Sequence, residues 1–237
     1  MIIYPWLVGL AAAVGLALSG WLAPPDWERP SLEGGALLVL GSLLGGRLDY
    51  VLRHWPFYQG HLVEALNLGA GGLAWPGAAL GGVSFLLAYT LLGRYAPGQL
   101  ADYLLPLGAA LGVAAWLGCW FAGCAYGPLT AGLALSAVDE SGAVAMRFPL
   151  QLLAALLTLA GFGLAEWLRP RWRQPGGPAL LAALVSLGVL FGVSFWQADP
   201  GRIWRGWRLD NWAALIYAAP LVLSLLYLLF VGSVDET

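Results

Sequence analysis

The sequence has no lysine: all eleven basic residues are arginine, set against thirteen acidic ones for a net charge of -2. Charged residues make up only 10% of the 237, where soluble domains carry about 25%. That scarcity excludes an ordinary soluble domain, and the missing basic stripe excludes nucleic acid as a partner. Histidine and cysteine are down to two each, so no zinc-type ligand set is expected, and neither a metal nor a cofactor is implied. Internal repeats and low-complexity tails are lacking too. What is present in quantity is apolar. Hydrophobic residues reach 60%, the mean hydropathy is +0.76, and there are 33 glycines and 13 tryptophans.

A membrane helix needs roughly 20 mostly apolar residues. That rule predicts seven spans, near residues 3–23, 33–52, 77–96, 103–123, 149–168, 178–198 and 212–231. The expected fold is an all-α integral membrane protein: a seven-transmembrane-helix bundle, one polytopic domain over residues 1–237. Its longest connections, 53–76 and 124–148, form an irregular extramembrane cap. The first span lacks a basic leading region and exceeds a signal peptide's apolar core, so it reads as a retained helix. Small residues four apart recur at Gly41/Gly45, Gly77/Gly81, Gly108/Gly112 and Gly188/Gly192, the pattern of close helix packing in membranes. Arginine bias barely separates the two sides. Arg29, Arg169, Arg171 and Arg173 fall on one, with Arg94 near its boundary, and Arg53, Arg147, Arg202, Arg205 and Arg208 on the other.

Cys119 and Cys124 are five apart near the end of the fourth span. On an unbroken helix that offset turns them about 140° from one another. They read as structural thiols, because a disulfide requires a break in the helix.

Ionisable groups inside spans mark functional sites by default. The second span ends in GGRLDYVLRHWPFY, which places Arg47, Asp49, Tyr50, Arg53 and His54 near one boundary. Arg47 and Tyr50, three apart, share a helix face, whereas Asp49 points elsewhere unless it turns toward a neighbouring helix. The alternative is that these groups snorkel into the headgroup layer. Arg147 precedes the fifth span, and Glu166 at that span's far end reads as a solvated or interfacial charge. The glycine-rich segment GGLAWPGAALGG, residues 71–82, holds no reactive side chain. Its glycines suit close backbone approach, Pro76 suits the first helical position, and the amides of that helix start suit an anion. Before the last span, Arg202, Arg205 and Arg208 alternate with Trp204 and Trp207. This strip fits contact with anionic lipid headgroups or an ordinary interfacial anchor.

In order along the chain, GGRLDYVL, GGLAWPGA, WLGCWFAGCAYG, RFPLQL and SFWQADP resemble the prolipoprotein diacylglyceryl transferase family over nearly the whole length. The resemblance implies seven membrane helices in a bacterial inner membrane. It also implies transfer of a diacylglyceryl group from phosphatidylglycerol to a lipoprotein cysteine. Positions that match are Arg47, Tyr50, Gly71, Gly72, Gly77, Gly118, Gly123, Tyr126, Gly127, Arg147, Pro149, Gln151 and Asp199. Other positions depart from the pattern. Pro76 stands where the family has histidine. Trp116, Cys119 and Cys124 replace arginine, asparagine and glutamate, and Leu190, Ser194 and Gln197 replace arginine, glutamate and arginine. Expelling a phosphate anion into a low-dielectric cavity needs cationic donors, usually the largest catalytic contribution.

The expectation drawn from these residues is therefore a transfer-inactive, phospholipid-binding relative acting as a structural or accessory subunit of a membrane assembly. Its lipid, expected to be anionic, would lie against Arg47, Tyr50, Gly71, Gly72, Gly77, Gly118, Gly123, Tyr126, Gly127 and Gln151. The alternative is an active lipid transferase using Arg47, Asp49, His54 and Arg147 around Tyr126 as catalytic residues, with Cys124 as an acyl or glyceryl acceptor. A small transporter with Arg47 and Asp49 along a polar path is the third reading; the sequence halves show none of the repeat symmetry that transporters carry.

Overall fold

The computed structural model of the protein describes residues 3–67 and 71–234, with side chains to residue 230. Seven of its helices are long and apolar enough to cross a membrane. They are α1 (Ile3–Leu22), α2 (Pro25–Arg53), α5 (Trp75–Gly93), α7 (Leu105–Ala122), α8 (Leu150–Leu168), α9 (Gly177–Ser194) and α10 (Leu209–Val234). Three short helices lie between them: α3 (Trp55–Tyr58), α4 (Leu62–Ala65) and α6 (Pro97–Tyr103). The fold is thus the expected helical membrane class, with far more large apolar side chains exposed than buried, as suits a protein whose solvent is lipid rather than water.

One boundary moves by about two turns. The second span starts at Pro25, not near 33. A proline in the first turn loses no hydrogen bond, Asp26 and Glu28 sit at the positive end of the helix dipole, and Pro30 is carried within the helix. The connections are also less irregular than expected. Residues 53–76 include α3 and α4, with 68–70 lying outside the described residues. Residues 124–148 fold into a hairpin of β1 (Leu135–Val138) and β2 (Val144–Arg147), with Leu135 opposite Arg147. A second, two-residue-loop hairpin joins β3 (Ile203–Trp204) to β4 (Trp207–Arg208). Its loop, Arg205 and Gly206, has φ of 51° and 83°, the left-handed pair that such a tight turn requires.

The chain divides into two compact units, Leu16–Leu104 and the remainder. In the first, α2 and α5 meet glycine to glycine. Gly41 faces Gly81, and Gly45 faces Gly77 and Gly81, so closely that a Cβ at any of them would strike the other helix's backbone. That is the approach the four-residue glycine spacing predicts. In the second unit α7, α8, α9 and α10 pack in chain order. Their core holds Trp116, Ala125, Leu150, Ala154, Val189 and Val193. Gly108 and Gly112 of α7 receive Phe162 and Thr158 of α8. The fourth pair departs from expectation: a Cβ at Gly188 or Gly192 would meet nothing within 4 Å, so these glycines hold no helix contact.

Candidate functional site

The sequence-predicted residues fall into two clusters, one in each unit. Arg47 anchors the first. Its side chain neither snorkels nor lies open, being only 6% exposed. Its guanidinium donates to backbone carbonyls at Ala65 (2.8 Å), Glu64 (2.5 Å), Gly71 (2.5 Å) and Gly72 (3.3 Å). It also lies 5.8 Å from the Tyr50 ring centroid and 5.4 Å from that of Tyr58, cation–π distances. A planar fork of five donors is suited to gather carbonyls in this way. Gly71 and Gly72 both have φ of 79°, and the Tyr50 ring covers Gly72 where a Cβ would sit. Ala74 then donates to the carbonyl of Gly46 at 3.0 Å. What comes close to the glycine-rich segment is therefore α2 itself.

Asp49 does turn toward the neighbouring helix. One carboxylate oxygen accepts the Gly77 amide at 3.0 Å, and Arg53 pairs with both oxygens at 2.6 and 3.0 Å. Ala74 caps α5 without a side-chain bond, so an orphan amide of that helix finds its acceptor 28 residues away in sequence. The anion expected at this helix start is the chain's own carboxylate. Pro76 is the second helical residue rather than the first, since α5 begins at Trp75; its missing N–H is an orphan position in either case.

The second cluster surrounds Tyr126, which is buried in the loop after α7. Its hydroxyl donates to the Glu140 carboxylate, and that bond, with burial, pushes its pKa up to about 12. Arg147 lies 4.2 Å from the Tyr126 ring centroid and pairs with Asp139 at 3.1 Å. Asp139 also accepts from the Ser141 hydroxyl (2.6 Å) and from the Ser141 and Ala143 amides (3.0 Å each). The Ser141 hydroxyl chiefly, then those amides and Arg147, hold its carboxyl below the usual carboxylate range. Sequence reasoning missed Asp139 and Glu140; the only local signal was the DESG turn, which places side-chain acceptors beside their own backbone.

Loops converge on this cluster. The Tyr126 carbonyl accepts from Ala198 at 2.8 Å, and Ala125 donates to Asp199 at 3.1 Å. Arg208 grips Asp199 through its carbonyl (2.9 Å) and its carboxylate (3.1 Å). Burial raises the Asp199 pKa even though Arg208 and the Ala125 amide oppose it. Arg208 thereby leaves the predicted headgroup strip. Arg205 stays exposed over the Trp204 ring at 4.8 Å, and Arg202 is exposed beside it. Gln151 is fully buried, its amide donating to the Cys124 carbonyl at 3.0 Å. Gly118 packs under Tyr4 and Gly127 against Phe148. Glu166, half-exposed, pairs with Arg169 at 2.7 Å.

The cysteines are joined. α7 stops at Ala122, and Gly123, at φ 72°, reverses the chain. Cys119 and Cys124 are brought to a Cα separation of 4.7 Å and bonded as a disulfide. The expectation of two thiols fails because the helix breaks between them, and with it goes Cys124 as a thiol acceptor.

A family model for prolipoprotein diacylglyceryl transferase matches residues 3–230. A phosphatidylglycerol–prolipoprotein diacylglyceryl transferase of Thermosynechococcus vestitus is 30% identical over 88% of this chain and 77% of its own length. The enzyme of that name from Verminephrobacter eiseniae is 29% identical over 83% and 74%. Its namesake in Acaryochloris marina is 36% identical, over 46% of this chain and 42% of its own.

Proposed function

The chain belongs to the prolipoprotein diacylglyceryl transferase family, and from that premise we propose that it binds phospholipid without transferring it. The reading places it in a bacterial cytoplasmic membrane, as a structural or accessory subunit of a membrane assembly. One observation carries it: the guanidinium groups at the matching positions are bonded to the chain itself. Arg47 is held by four backbone carbonyls, and Arg147 by Asp139. Outside the matching set, Arg208 is likewise held by Asp199. Breaking a glycerol–phosphate bond leaves a phosphate anion in low dielectric, and preorganised cations carry that step. Removing one such donor costs a factor of about 10²–10³. Here Trp116 packs in a hydrophobic core and Leu190 packs against it, at two positions where the family resemblance calls for arginine. The lipid is taken to be anionic, because Arg202 and Arg205 flank Trp204 just before the last span. Each basic residue near the surface contributes on the order of 1 kcal/mol toward such headgroups.

The names of the relatives favour a second reading. In it the chain is an active transferase acting on phosphatidylglycerol, with Arg47, Asp49, Arg147 and Tyr126 as its reactive set. Expression in a bacterium depleted of its own transferase separates the two. No rescue of growth or of lipoprotein modification at full expression is expected; rescue would establish the second reading. Mass spectrometry of the detergent-purified protein tests lipid binding by itself, and a protein carrying no phospholipid would end the first reading.

A further inference from the structure

Between α8 and α9 runs a groove of about 520 Å³. Leu153 and Leu157 form one wall, Val185 and Val189 the other, and Phe148 and Trp196 stand at its mouth. No lining residue is charged, and the one polar side-chain group among them is the indole N–H of Trp196. Gly188 and Gly192, one turn apart and exposed, line it as well, and a Cβ at either position would enter open space. From Val185 to the end of α9 at Ser194 the groove follows the helix for about 14 Å at a rise of roughly 1.5 Å per residue. One leaflet of bilayer hydrocarbon is about 15 Å deep, half of the roughly 30 Å core. Both walls are membrane-spanning helices.

We propose that this groove is a binding site for one phospholipid acyl chain, entering from the leaflet next to the 123–149 loop and ending near Leu157 and Val185. The proposal rests on the phospholipid-binding reading above and says where the lipid is held. Three observations select an acyl chain over a second copy of the protein or a partner helix. The groove stops after one leaflet, whereas a helix partner would contact the full span. Its lining is apolar apart from the Trp196 indole at the mouth, so it has little with which to recognise a polar partner. The two glycines of its lining lack a facing backbone, in contrast to the glycine pairs of α2 and α5, which press on one another. With the Trp196 indole N–H, at the mouth, as the one polar side-chain group of the lining, recognition is of the chain and not of the headgroup.

The test uses the full-length protein in phosphatidylglycerol vesicles doped with phosphatidylglycerol bearing a photoactivatable group on its acyl chain. A parallel arm uses phosphatidylcholine with the same chain. Irradiation and peptide mass spectrometry then locate the adducts. The expected result is labelling concentrated on Leu153, Leu157, Val185 and Val189 in both arms. It should be lost in the Gly188→Leu/Gly192→Leu double variant. It should be kept in Gly163→Leu, which also adds a side chain to open space on α8 but lies outside the groove. Labelling of the groove no denser than that of lipid-facing Leu223 on α10 would overturn the proposal even if the double variant fails to fold. So would disulfide cross-linking between copies of a Gly188→Cys variant. In either case phospholipid still retained on the purified protein would leave the broader reading standing.

Discussion

Asp139 shows what a single side chain does here. It collects two amides, one hydroxyl and one guanidinium, all of which favour its charged form. Its folded pKa is depressed. Its contribution to stability is therefore present above the unfolded value, about 3.9, and is lost as pH falls through the lower folded value. Unfolding of wild type and Asp139→Asn in detergent should differ most at neutral pH and converge in acid. A gap that persists below the folded pKa would show that the side chain acts by shape and not by charge. Tyr126 has the opposite sign: its neutral phenol is favoured, so its contribution holds below about 10 and fades as pH rises through about 12. Arg47 was legible as a buried charge in a span. Tyr50 on the same helix face was legible too, but the carbonyl partners of Arg47 were not, because backbone carbonyls carry no sequence signal.

Among the elements, α2 and α5 depend on bare backbone. Gly77 leaves no room for a methyl group, because Asp49 and the Gly45 carbonyl occupy that space, and the same Gly77 donates its amide to Asp49. Gly77→Ala should lower stability by about 1–3 kcal/mol, the usual range for overpacking, and weaken the cap in the same step. Gly163→Ala, at an uncrowded helical position, should instead be neutral or stabilising by up to about 1 kcal/mol, since alanine is the better helix former. Thermal unfolding of both variants in one detergent is the check, and equal effects would contradict the close crossing. The glycine spacing announced close packing at Gly41/Gly45 and Gly77/Gly81 and was right. At Gly188/Gly192 the same spacing lines a groove, because the pattern records small side chains and not what faces them.

For the whole molecule, the disulfide decides what arginine bias left open. Structural disulfides persist in oxidising compartments and are rare in the cytosol. The 123–149 loop, which follows Cys119–Cys124, should thus face outside the cytoplasm, and the end of α10, three spans later, should face inside. An alkaline phosphatase reporter inserted within 129–134 should be active, and a fluorescent protein fused after Phe230 should fluoresce. The reverse pattern would place the disulfide on the reducing side and refute the assignment. Replacing both cysteines by serine should cost about 2 kcal/mol, the chain-entropy estimate for so short a loop.

The sequence by itself determined the membrane class, the seven spans and the family, because hydrophobic length and motif order are properties of a string. It also pointed to Arg47, Arg147 and Tyr126, since ionisable and phenolic groups near apolar runs are conspicuous. Only the tertiary structure decided what those groups hold. Asp49 reaches an amide 28 residues away, Asp199 an amide 74 residues away, and the two cysteines meet across a helix end. Each of these depends on where the backbone turns, and an interaction that falls off within a few ångströms is decided by that geometry and not by the order of residues.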